Sequence, residues 1–162
     1  MADTNLDSAQ GYASGGLPGA TANGKNVIDK QTAEAEFIRY CDANEIDCDM
    51  DGMTEDEKKD FEPIKKRFIR ACMQGRVKVD GTDVIYTISD FSKPPFKGQQ
   101  IKVSRSGGQS FMGMDGYKDT QSVHRLHGFL SAMTGQETSF FAKLDNTDWF
   151  FFRDIGTLFL VG

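Results

Sequence analysis

Asp47-Cys48-Asp49-Met50-Asp51-Gly52 is the stretch whose residue types and spacing come closest to a definite chemistry. Carboxylates on alternate residues followed by glycine are what the first half of a calcium loop uses to wrap a hard cation in oxygen. The second half departs from that pattern. Thr54 stands where an apolar residue is usual, Lys58 where a bidentate glutamate closes the site, and Glu57 falls one residue early. Asp47, Asp49 and Asp51 are therefore the metal candidates, for Ca2+. The expectation is nevertheless an acidic turn that takes no cofactor and suits the positive N-terminal end of the following helix.

His124 and His127, the two histidines of the chain, are three residues apart, a helical spacing that can bring two imidazoles to one metal. Only Asp115 and Asp119 lie near enough in sequence to add a ligand, so an ordinary surface or half-buried pair is expected. The glycine-rich segment Ser106 to Gly116 follows Arg105, which together are the materials of an anion nest. It lacks a GKS or GKT ending, its glycines miss the GxGxxG spacing, and Ser110 is not in a GxSxG elbow. A mobile connection or a partner-binding loop is expected there. Lys65-Lys66-Arg67-Phe68-Ile69-Arg70 spreads four cations around a helix whose apolar side carries Phe68, the pattern of a solvated face. No nucleophile stands beside a base in a familiar spacing, and no enzymatic activity is expected.

The elements that would position these residues can be read from punctuation and periodicity. Asp29 caps a first helix in which Ala33, Phe37 and Cys41 recur, ending near Ala43. Thr54-Glu55-Asp56-Glu57 is a capping box that opens a second helix, kinked or restarted at Pro63, with Ile64, Phe68 and Cys72 on one face until Gly75. Val77 to Ile88 alternates on both sides of Asp80-Gly81, a hairpin signal, and Gln100 to Arg105 offers a third strand beyond Pro94-Pro95. Asp119 or Thr120 then caps a helix with Val123, Leu126, Leu130 and Met133 on one stripe, closed by Gly135. A short helix over Thr138 to Lys143 precedes a last one capped by Asp145 or Asn146.

The fold class implied is α+β: a small antiparallel sheet of about three strands, N-terminal helices and a C-terminal helical bundle. Residues 1–26, rich in Gly, Ala, Ser and Asn, form an expected disordered tail, and 27–162 one domain. Within it 27–75 is helical, 76–105 is hairpin plus strand, and 117–161 is helical.

A net charge of -5 and a pI of about 5.0 argue against a general binder of nucleic acid or membrane surfaces. Trp149 to Val161, the most apolar run, is interrupted by Arg153 and Asp154 and does not reach the length of a membrane span. The three cysteines, Cys41, Cys48 and Cys72, form no CxxC pair, and reduced thiols in a cytosol are expected.

That apolar run also poses a packing question. Trp149, Phe150, Phe151, Phe152, Ile155, Leu158 and Phe159 occupy most of the circumference of the last helix, so it is either central to the core or partly a surface that needs a partner. Leu130-Ser131-Ala132-Met133-Thr134-Gly135, then Phe141-Ala142-Lys143-Leu144-Asp145, then Asp148-Trp149 and Leu158-Phe159-Leu160, resembles the helical C-terminal region of bacteriophage tail assembly chaperones. The likeness covers about a quarter of the chain, and the strand with Tyr86-Thr87-Ile88 precedes it in the family's usual order. The glycine-rich loop and the long N-terminal part depart from the family pattern.

The resemblance implies a non-enzymatic helper in the host cell cytoplasm that keeps the tape-measure protein soluble while the tail-tube protein assembles around it. The residues expected to bind the partner are Trp149, Phe150, Phe152, Ile155 and Phe159 of the last helix, with Leu126, Leu130 and Met133 of the preceding one. Self-association into a homo-oligomer would protect such a surface. The competing expectations are a virion structural or connector protein and a calcium-binding helix-loop-helix module.

Overall fold

The computed structural model describes residues 26–161, so the expected disordered tail lies, but for Asn26, outside the described residues. Helix α1 spans Lys30–Asn44, and the Asp29 carboxylate accepts from the Thr32 amide at 2.7 Å, as its capping signal implies. Glu45 then takes the left-handed conformation and turns the chain back through a short 3-10 turn, Met50–Gly52. Helix α2 runs from Glu55 to Met73 with the Thr54–Glu57 capping box complete. Pro63 sits inside this single helix, on its exposed side, rather than dividing it into two.

Three strands follow: β1 (Val77–Asp80), β2 (Asp83–Thr87) and β3 (Gln100–Val103). They form an antiparallel meander in that order, and Gly81, at φ 61°, makes the tight turn between β1 and β2. The registers put Val79, Val84 and Val103 in one row and Val77, Tyr86 and Ile101 in the next. All six side chains are buried on one face, as a period of two requires.

Four more helices complete the chain: α3 (Gly108–Met112), α4 (Ser122–Thr134), α5 (Thr138–Ala142) and α6 (Asn146–Leu160). Among the described residues the architecture is α+β, with six α-helices and one antiparallel sheet. No helix among them is long and apolar enough to cross a membrane.

Helix α6 is the centre of the molecule. Phe151 stacks on Tyr86 of the sheet at 4.0 Å and approaches Phe68 of α2 at 6.0 Å, while Phe152 meets Phe141 of α5 edge-on at 5.6 Å. On the α4 side Gly156 admits Leu126 and Leu130 so closely that a β-carbon there would lie 2.8 Å from Leu126 Cδ1. Burial of Phe151, Phe152, Asp154, Ile155, Gly156 and Leu158 covers a wide arc, because α2, the sheet and α4 surround the helix.

Two expectations need correction here. Cys41 and Cys48 are disulfide-bonded, with Cα atoms 6.4 Å apart. The reversal at Glu45 carries Cys48 back over the end of α1, a pairing that a search for CxxC does not see. Cys72 alone keeps a free thiol, and burial, with the Glu36 carboxylate nearby, pushes it up to about 12. Val123, assigned to the apolar stripe of α4, is instead 54% exposed, because it stands in the first turn of the helix, ahead of the turns that reach the core.

Candidate partner-binding surface and the polar network beneath it

The first turn of α6 is held by a side chain that no water reaches. Asp148 is 0% exposed, and its carboxylate accepts four hydrogen bonds. The Tyr86 hydroxyl donates at 2.7 Å and the Ser89 amide at 2.9 Å to Oδ1; the Ser89 and Ser92 hydroxyls donate at 2.8 and 2.6 Å to Oδ2. Ser92 Oγ also accepts from the Asp145 amide at 2.9 Å, so the segment after β2 is tied to the start of α6 by two residues at once.

A cation completes this network. Arg76, only 5% exposed, donates from Nη1 to the Tyr86 hydroxyl at 2.5 Å and lies 3.9 Å from Asp148 Oδ1. Gln74 Oε1 accepts from its other nitrogens. Burial pushes the Tyr86 hydroxyl well above the ordinary tyrosine range, against the lowering pull of Arg76. A buried carboxylate with four donors and a facing guanidinium is the satisfied form of an otherwise costly group. It fixes the first turn of α6 in position.

Nearly two turns further along, Asp154 is paired by two arginines. Arg67 of α2 grips it with Nε and with Nη2, the latter at 3.0 Å, and Arg153 reaches Oδ1 at 3.0 Å. Arg153 lies over the Phe150 ring at 4.6 Å and Arg67 at 5.8 Å. The basic stretch of α2 is therefore not only a solvated face: its Arg67 is a tether between two helices.

The eight residues expected to bind a partner divide by burial. Phe152, Ile155, Leu130 and Met133 are at most 3% exposed and belong to the core, which corrects their placement on a surface. Trp149, Leu126 and Phe159 are half-buried against it, and Phe150, at 36%, reaches solvent between its two arginines. The apolar arc of α6 is wide because three elements cover it.

Other large apolar side chains that face solvent are spread over the surface, among them Ile38 on α1, Phe91 after β2 and Leu160 at the end of α6. Phe111 is 50% exposed and Met112 68%, both on α3, inside the glycine-rich segment. Phe111 rests edge-on against buried Phe129 of α4 at 5.3 Å, so its ring is held while half of it stays accessible. The segment is thus not a structureless connection: Ser110 is buried and its hydroxyl accepts from the Gly107 amide at 3.2 Å, closing the first turn of α3. The signal for this was the Ser-Phe-Met run between glycines.

Two of the three metal candidates, Asp47 and Asp49, are engaged by backbone amides of their own turn. Asp47 Oδ1 accepts from the Asp49 amide at 2.9 Å and Asp49 Oδ1 from the Asp51 amide at 3.0 Å. Glu57 accepts from the Thr54 amide at 2.7 Å, and that backbone bond holds its carboxyl below the usual range. Among the described residues no three His, Cys, Asp or Glu are grouped to hold a metal ion. His127 packs edge-on to Trp149 at 4.8 Å, and burial, with His124 6.4 Å away, lowers its basicity.

Compared with known protein families, curated proteins and solved structures, the chain matches no family model, no curated protein and no solved structure.

Proposed function

We propose that the chain is a bacteriophage tail-assembly chaperone, a non-enzymatic protein. It binds an apolar helical segment of the tape-measure protein and keeps it soluble while the tail-tube protein assembles around it. The observation that carries this reading is the display of Phe111 and Met112 on α3, 50% and 68% exposed on an acidic body of net charge -5. A holdase needs broad, adaptable apolar contact on a carrier that remains in solution, and phenylalanine with methionine supplies it.

The order of strand, helix, short helix and apolar last helix supports the same reading through the resemblance carried by Leu130 to Leu160. The role of α6 in this proposal is altered from that of a docking face. It anchors the fold through Asp148 and Asp154 and so holds α4, on which α3 rests. Self-association through the same α3 surface protects it until the partner arrives.

Co-expression with the tape-measure protein of the same genome tests the proposal. The expected result is a soluble, co-purifying complex. A tape-measure protein that stays insoluble, with the chain found instead in purified particles, would move the assignment to a virion component.

A further inference from the structure

Arg67, Arg70 and Arg76 converge on a cavity of about 160 Å3 whose other walls include Tyr86, Phe150 and Phe151. Two of the three guanidiniums are engaged: Arg67 with Asp154, and Arg76 with Gln74, Tyr86 and Asp148. Arg70 is exposed and makes no ion pair or side-chain hydrogen bond among the described residues. The three guanidiniums of the lining are set against the carboxylates of Asp154 and Asp148, a surplus of one positive charge, that of Arg70, on a protein whose overall charge is -5.

We infer that this cavity is a binding site for a carboxylate carried on a short apolar stem, with Arg70 as the residue that pairs with it. A guanidinium fork matches the two oxygens of a carboxylate, and the free one here has a single charge to satisfy. Phe150, the solvent-exposed ring among the aromatic walls, accepts the stem, and the volume fits a group of a few heavy atoms. A doubly charged phosphate would bring its second charge close to the carboxylates of Asp148 and Asp154 with no further cation to meet it. The acid comes either from a free small molecule or from the end of a peptide chain, since both present the same chemistry. The site stands independently of the chaperone reading, because none of its residues belongs to α3.

The test is a nitrogen-15 NMR titration of the full chain, following the arginine Nε–H signals and the Phe151 amide. The probes are isocaproate as a free acid, N-acetyl-leucine as a chain end, and inorganic phosphate. Saturable shifts of Arg67, Arg70 and Phe151 with an organic acid are expected, and the tighter of the two acids identifies the source. Arg70→Gln should weaken that binding by about tenfold, the loss of one charge-assisted pair, with the remaining spectrum unchanged. The inference is overturned by shifts that fail to saturate, by an Arg70→Gln chain that titrates like the wild type, or by phosphate binding more tightly than both acids.

Discussion

Gly128, in the middle of α4, meets Gly113 backbone to backbone: a β-carbon on Gly128 would lie 1.9 Å from the Gly113 carbonyl oxygen. The reverse approach is as close, 2.3 Å from a Gly113 β-carbon to the Gly128 oxygen. No side chain fits between them, so α3 lies directly on α4 and presents Phe111 and Met112 from a fixed platform. Gly128→Ala gains helix propensity but forces these backbones apart, a net loss of about 2 kcal/mol. Urea unfolding should report that loss, and amide exchange should show α3 less protected than α4.

Tyr86 and Tyr40 are both fully buried, yet only one hydroxyl has a partner. Tyr86→Phe removes a donor from Asp148 and the acceptor of Arg76, and should cost about 1–3 kcal/mol. Tyr40→Phe removes a hydroxyl with no hydrogen bond and leaves its stack on Phe68, so stability should hold or rise. Asp148→Asn should be the most damaging of the three, about 3 kcal/mol, because it strands the buried guanidinium of Arg76. Denaturant midpoints of the three variants give the order directly.

Reduction of the Cys41–Cys48 bridge should lower stability by about 2–3 kcal/mol, the loop-closure term for a short ring. Thiol titration of the native chain should find Cys72 unreactive, and the unfolded, reduced chain should yield all three thiols. A native chain with two readily reactive thiols would contradict the bridge.

Alkaline pH should unfold the protein before the end of the tyrosine range. Tyr86, Tyr40 and Cys72 all have folded values raised by burial above their unfolded ones. The unfolded chain therefore releases protons first, and stability present at neutral pH is lost as pH rises past about 9 to 10. Each group contributes a slope of about 1.4 kcal/mol per pH unit while it is ionised only in the unfolded state. Melting temperature measured across that interval should fall steeply, and less steeply in Tyr86→Phe.

What was legible in the sequence was local. Asp29, Thr54 with Glu57, Gly81, Gly135 and Asp145 act within a few residues of themselves, and each does what its type implies. The functional geometry depends on partners far apart along the chain. Asp148 is 62 residues from Tyr86, Asp154 is 87 from Arg67, and no residue type distinguishes a buried aspartate in a first turn from one that merely suits a helix dipole. The same limit misled the reading of α6. An apolar circumference looks alike whether α2, the sheet and α4 surround it or a partner does, and only the packing of Phe151, Phe152 and Gly156 decides for the core. The bridge from Cys41 to Cys48 was hidden by the reversal at Glu45, and α3 by the glycines around it.

The most direct test of the chaperone proposal is a pull-down of the co-expressed tape-measure protein by the wild-type chain and by a Phe111→Ser, Met112→Ser double variant. Phe91→Ser, which removes a still more exposed ring from the segment after β2, serves as the control. Phe91→Ser leaves the core untouched, and the double variant gives up only the edge-on contact of Phe111 with Phe129, so the melting temperatures of the three chains, measured alongside, should stay close. The expected result is loss of at least about tenfold in retained partner for the double variant, the burial of two large side chains, and none for the control. Equal retention by the double variant and the wild type would contradict the assignment of α3 as the binding surface.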